Sequence, residues 1–392
     1  MKLLSITSLF LILFLSTGYP LSSDESEDKE MMNKIDSVYE FKHVINVETT
    51  KVKNQNRTGT CWTFAGNSFI ETELLREGKG EVDLSEMFIV RNMYPEKADL
   101  YVRYHGKTQF GEGALTNDVM RSIDKYGVVP ESEYSTRPEN GYLNHAEMSG
   151  ILEDMLKRIV ATDASNRTTK WKKAFESVLD VYMGPAPSKF EVNGVEYTPI
   201  SYRDYLGIDT KQFVDITSFT HHPFYNKFVL EVPDNFSHGE FYNVPINELL
   251  EITEKALENG YSVDWGADVS EPSFESKYGL AINPADMKQM ILDKDVIKWD
   301  SIYTELNITQ EIRQEDFDNY LTQDDHGMHI VGIVKDKLDR KYFVVKNSWG
   351  TKKRGHEGYL YVSYSYFMHK TTAITLNKNG IPSNLKKKLK IN

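Results

Sequence analysis

The sequence predicts an α+β protein, helical in its first part and built on antiparallel strands near its end. Two observations carry that reading. Residues 61–76 place apolar side chains near helical spacing, and Gly78 and Gly80 stop the run. Residues 324–334 and 341–350 are strand-like stretches joined by a short loop at 335–340, the signature of an antiparallel pair.

The elements follow in chain order. Residues 1–18 begin Met1-Lys2, run apolar from 3 to 15 and end on small residues at Ser16 and Gly18. They read as a signal peptide, too short to span a bilayer. The mature chain is therefore expected to be exported, periplasmic or secreted, with no stable membrane anchor. Residues 19–44 are acidic and polar and read as a flexible lead-in. After the Cys61 helix come a charged helical stretch at 146–160 and a helix around 249–258. Residues 377–392 form a lysine-rich, basic tail.

Composition narrows the function classes. A chain of 392 residues, 40% hydrophobic and 27% charged, has an ordinary globular make-up and buries a core without covalent staples. With 46 basic against 58 acidic side chains the formal net charge is −12, and no basic stripe is present, so no nucleic-acid partner is expected. Cys61 is the single cysteine, which excludes a disulfide within the chain. An unpaired thiol in an exported protein is a liability unless its chemistry is used.

The placement of that thiol suggests how it is used. The polar loop 54–60 leads directly into the helix, so Cys61 sits where backbone N–H groups and the positive end of the helix dipole favour a thiolate. A thiolate nucleophile needs a base and a group that orients the base. The late strand pair sets His326 at the start of one strand and Asn347 at the end of the next. His329 competes for the same role, but side chains alternate along a strand, so His326 and His329 point to opposite faces. The His221-His222 pair before Pro223 has no third partner at metal-ligand spacing in the sequence, and neither a metal nor a cofactor is expected.

Gln55 followed by Cys61-Trp62, a late His326-Gly327-Met328 and then Asn347-Ser348-Trp349-Gly350 resemble the papain-like cysteine peptidase superfamily. Leu84-Ser85-Glu86 is similar to the family's Leu-Ser-Glu turn, Gly111-Glu112-Gly113 to its glycine wall, and residues 126–134 to the segment that follows. The family pattern places a small and then an apolar residue after the histidine, with a glycine six positions on; Gly327, Met328 and Gly332 fit it after His326, and His329 does not fit. The matching segments span about residues 45–376. The lack of disulfides and the long stretch between Cys61 and His326 resemble the bleomycin hydrolase and aminopeptidase C branch. In particular Trp171 to Glu176, Tyr182 to Gly184 and Thr198 to Tyr205 are similar to that branch's inserted region.

The resemblance implies a two-lobed fold, helical on the left and antiparallel β on the right, with a large, mainly helical insertion at about 135–245. It implies Cys61 as nucleophile, His326 as its proton partner, Asn347 as the orienting amide and Gln55 as oxyanion donor. Gly111, Glu112, Gly113 and Trp349 would contact substrate. The implied activity is hydrolysis of peptides, with aminopeptidase action on short ones, and homo-oligomers fit the branch. In that branch a C-terminal arm brings its carboxylate to the substrate amine, whereas this tail is lysine-rich. An endopeptidase without that ruler, or an inactive peptidase-fold binding protein, are the alternative readings.

Overall fold

Strand His326–Lys335 is buried along nearly its whole length, and the rest of the molecule is arranged around it. In the computed structural model, which describes residues 23–293 and 296–392, this strand pairs antiparallel with Val263–Ala267 on one side and Lys341–Lys346 on the other. The short strand Lys42–Asn46 also joins it. Among the described residues the sheet has eleven strands. The strand pair read from the sequence is present, with His329 opposite Lys346 and a local register shift between Ile330 and Gly332. The signal peptide assigned to residues 1–18 lies outside the described residues, and among those described no helix is long and apolar enough to cross a membrane.

Helix Cys61–Arg76 has the bounds expected from its pattern, and it is buried almost throughout because both sides are covered. One side lies on His326–Lys335 and the other meets helices Glu86–Arg103 and Thr116–Tyr126. Gly327 permits the first contact: a Cβ added there would lie 3.2 Å from Trp62 Cα. Helix Glu86–Arg103 starts where Ser85 caps it, its hydroxyl accepting from Phe88 N at 3.0 Å. These helices, with Ala146–Val160 and Lys170–Met183, enclose one apolar core that includes Phe69, Val119, Leu152 and Phe175. A second core between the sheet and helix Ile246–Glu258 contains Trp265, Ile330, Phe343 and Phe367.

Three segments depart from the sequence reading. Residues 19–44 are not a flexible lead-in as a whole: Ser23–Tyr39 is a helix whose Ile35 and Tyr39 are fully buried. Its acidic composition hides an apolar stripe of Met31, Ile35, Val38 and Tyr39, spaced for one helical face, that packs beside Val334 and Tyr342. The insertion carries helices, as expected, but Phe213–Thr217, Lys227–Val229 and Glu240–Asn243 also extend the main sheet. These strands are too short and too polar to stand out by alternation alone. Finally, the basic tail folds back as helix Ser383–Leu389, with Leu385 and Leu389 buried in the second core. Lys388 Nζ lies 2.6 Å from Glu248 Oε1 on the neighbouring helix.

Docking of the tail is therefore apolar at its centre, with lysines at the rim. Leu385→Ala should lower unfolding free energy by about 2–4 kcal/mol, read from urea titration, while the folded variant keeps its turnover. An unchanged midpoint would mean the tail is not packed there.

Candidate active site

The loop ahead of Cys61 is held from two directions. Gln55 N donates to Ser348 O at 2.8 Å, and Ser348 Oγ donates to Gln55 Oε1 at 2.6 Å. Gln55 Nε2 gives one hydrogen to Thr58 O at 2.7 Å, which leaves its second hydrogen for another acceptor. On the opposite wall Glu112 accepts from Gly59 N at 2.6 Å through Oε2, and its carbonyl accepts from Trp62 Nε1 at 2.9 Å. Cys61 opens the helix as a half-buried free thiol.

Across from it, His326 Nε2 lies 2.8 Å from Asn347 Oδ1. An amide oxygen only accepts, so Nε2 carries the hydrogen and Nδ1 is left as the basic nitrogen of the neutral ring. The same oxygen accepts from Ser348 N at 2.7 Å, which fixes the amide plane. The Trp349 ring covers the imidazole with centroids 4.6 Å apart. His329, three positions along, turns to the other side of the strand, where Nδ1 meets Ser68 Oγ at 2.9 Å inside the protein.

Gln55, Cys61, Glu112, Gly113, His326 and Trp349 together line one cavity of about 500 Å³ between the two lobes, with Asn347 directly behind His326. Gly111 is the exception among the substrate-contact candidates. It does not line the cavity; its carbonyl instead accepts from the buried Lys97 Nζ at 2.6 Å, so it holds the wall from behind. Glu112 reaches the cavity, but its carboxylate is engaged by Gly59. A Cβ on Gly113 would sit 2.0 Å from Asp234 Oδ2, so a larger residue there would displace that carboxylate. Sequence reasoning missed Ser149, Asp234, Phe241 and Asp324, all of which line the cavity. The first three come from the insertion, where no spacing ties them to Cys61; Asp324 stood next to the histidine motif and was legible only as part of a strand.

Burial governs the site's protonation. It pushes the Cys61 thiol up to about 12, with the negative charges of Asp324 and Asp234 adding to the rise and backbone groups of Gly327 and Trp62 opposing it. It pushes His326 down to about 4 against the pull of Asn347. Burial thus disfavours each charge taken alone. Asp324 is pushed up to about 8 by burial, reinforced by Asp234 and Asp325, and its Oδ2 is enclosed without a donor.

With this geometry in place, comparison with known proteins becomes specific. Residues 188–392, more than half of the chain, match the peptidase C1-like family. The chain belongs to that family. It is 24% identical over 381 residues to aminopeptidase G of Lactobacillus delbrueckii subsp. lactis, covering 84% of this chain and 81% of the relative. Aminopeptidase C of Lactobacillus helveticus is 24% identical over 389 residues, covering 88% and 83%. The mitochondrial cysteine proteinase 1 of Saccharomyces cerevisiae is 23% identical over 397 residues, covering 89% and 79%. A crystal structure of PepW from Lactobacillus rhamnosis superposes with a TM-score of 0.70 at 19% identity, covering 93% of this chain and 86% of that one. This is a papain-like cysteine peptidase of the aminopeptidase C branch, with the α+β fold of that group.

The depressed basicity of His326 has a consequence for this peptidase's stability. In the folded state the ring refuses a proton until about pH 4, whereas in the unfolded chain it takes one near pH 6.5. Stability that depends on the neutral ring is therefore lost as pH falls from 6.5 towards 4, by about 2 kcal/mol at pH 5. His326→Gln removes this dependence. Relative to the parent, its urea-unfolding free energy should improve by about 2 kcal/mol between pH 7 and pH 5, and parallel curves for the two proteins would contradict the assignment.

Proposed function

We propose that this cysteine peptidase is an aminopeptidase on short peptides, working through Cys61, His326, Asn347 and Gln55. The observation that carries the catalytic part is the 2.8 Å contact from His326 to Asn347 in the cavity wall that faces Cys61. When a peptide enters and excludes water, Cys61 passes its proton to His326 Nδ1, and the two opposite charges that result compensate each other where neither is stable alone. The thiolate attacks the scissile carbonyl carbon. The oxyanion accepts hydrogen bonds from the free Gln55 Nε2 hydrogen and Cys61 N, and His326 gives its proton to the departing amine. Water, deprotonated by His326, then hydrolyses the thioester and restores the thiol. Trp349, tilted against the imidazole at 4.6 Å between centroids, keeps water from the His326–Asn347 bond.

The aminopeptidase part rests on charge. Asp234, Asp324 and Asp325 line the cavity, and Asp324 Oδ2 lacks a donor, which suits a peptide's terminal ammonium. Among the described residues lining the cavity none comes from 377–392, so the carboxylate that meets the amine belongs to the cleft wall rather than the tail. Ser149, Asp234 and Phe241 bring the insertion to the same cavity and narrow its passage.

Cys61→Ala should abolish hydrolysis in a protein that still folds, and Gln55→Ala should lower turnover by about 10²–10³; near-parental turnover of the Cys61 variant would remove the reading altogether. Matched fluorogenic peptides with free and acetylated N-termini address the amine. The free peptide should be strongly preferred, and Asp324→Asn should lower its kcat/KM by about tenfold or more with little effect on the acetylated one. Extending the chain by two residues after Asn392 should leave the ratio unchanged. Equal hydrolysis of both peptides would make the enzyme an endopeptidase.

A further inference from the structure

His221 and His222 close the loop that follows strand Phe213–Thr217, and Glu231 lies just past strand Lys227–Val229. Folding brings these three together at the rim of the sheet, far in sequence from Cys61. His221 Nε2 lies 3.1 Å from Glu231 Oε2, and His222 Nε2 lies 2.8 Å from Glu231 Oε1. One ligand atom from each of the three side chains falls within 4.8 Å of the others. The sequence pair that lacked a third partner thus acquires one from a neighbouring strand.

The two rings are held in place rather than free to rotate. His222 stacks on Phe228 with centroids 4.3 Å apart, and its carbonyl accepts from Asn243 Nδ2 at 2.9 Å. His221 lies parallel to Phe317 and edge-on to Phe228. Its Nδ1 faces the Gln314 amide, with Nε2 3.1 Å and Oε1 3.4 Å away, and that Oε1 is fixed by Thr220 N at 2.6 Å. Without an ion, His221 Nδ1 accepts from Gln314 Nε2 and His221 Nε2 donates to Glu231, so a metal bound at His221 Nε2 shifts the ring hydrogen to Nδ1, where Gln314 Oε1 can accept it.

We propose that His221, His222 and Glu231 form a binding site for a divalent transition ion of the zinc type, with solvent as the fourth ligand. Two imidazole nitrogens and one carboxylate oxygen suit zinc, whereas calcium and magnesium need more oxygen donors. With zinc–ligand bonds near 2.0–2.1 Å, neighbouring ligands in a tetrahedron are about 3.3 Å apart. The two short nitrogen–oxygen distances are to different oxygens of Glu231, and one ligand atom from each side chain lies within 4.8 Å of the others, so the three must draw closer around a bound ion. The side chains are partly exposed, at 29%, 36% and 56%, so an ion enters without unfolding and keeps a water ligand. The site backs onto Phe219 and Phe228, which share an apolar cluster with Leu115 and Phe241. Leu115 and Phe241 also line the catalytic cavity, so a bound ion would brace that wall.

The test uses full-length Cys61→Ala protein, because a thiol beside an imidazole binds zinc on its own account. After chelator treatment, competition with a chromophoric chelator should show one equivalent of Zn²⁺ bound with micromolar or tighter affinity. Co²⁺ should give the visible d–d absorption of a four-coordinate ion, and zinc should raise the melting temperature. Adding Glu231→Gln or His222→Gln should weaken binding by at least about tenfold. Circular dichroism checks that each variant folds, and if one does not, the other decides. Failure to bind an equivalent, or binding that neither substitution weakens, overturns the site and leaves the peptidase reading untouched.

Discussion

The contact on which everything else depends is the close approach of helix Cys61–Arg76 to strand His326–Lys335. Backbone meets backbone at Gly327 and Trp62, where a single methyl group would intrude. This contact joins the helical lobe to the sheet and sets the thiol at the head of the helix opposite the imidazole at the head of the strand. Beneath it the polar groups are paired rather than removed. Lys53 is within 3.0 Å of Glu71 and 2.7 Å of Glu86, and Lys346 donates to Ser68 and Thr50. Burial alone would push Lys53 down, yet Glu86, Glu71 and Asp83 together raise it well above its ordinary value. The interface thus holds its charges by mutual compensation, and removing one partner would leave the others stranded.

The same principle organises the cleft, with the balance left incomplete. Among the described residues, carboxylates line the cavity and no lysine or arginine does. Lys97 lowers Asp234 against the effect of burial, but its ammonium donates to the carbonyls of Gly111 and Gly113 and is itself pushed down to about 8 by burial. A site built this way is poor at holding its own charge and good at receiving a cation. In the proposed mechanism an arriving ammonium would offset the same Asp234 and Asp324 charges that raise the Cys61 thiol.

Legibility in the sequence followed the range of the forces involved. The Cys61 helix, the antiparallel pair carrying His326 and Asn347, and the helix ending at Glu258 rest on local periodicity, and they occur where the pattern places them. Strand alternation put His326 and His329 on opposite faces, where the two rings do lie, and the choice of His326 between them rested on the family pattern. The helix at Ser23–Tyr39 was missed because net charge was weighed above a four-residue apolar stripe. Gly111 was assigned to the cleft by motif, but the chain turns so that Glu112, Gly113 and Ala114 face it instead.

What the sequence by itself determined is the chemistry: one thiol at a helix entry, one imidazole at a strand start, an amide at the next strand's end, and the family to which that order belongs. These are local or ordered features, readable without coordinates. Only the tertiary structure decided which acids face the thiol, where the tail goes and what His221 and His222 meet. Asp234 and Asp324 acquire meaning from Cys61, far away along the chain, Glu231 from two histidines nine and ten residues before it, and the tail's two buried leucines seek an apolar surface that exists only after the sheet and helix Ile246–Glu258 have packed. Charge and burial are properties of the assembled environment, so a residue's protonation and partners follow from packing, whereas its capacity for a reaction is already written in its side chain.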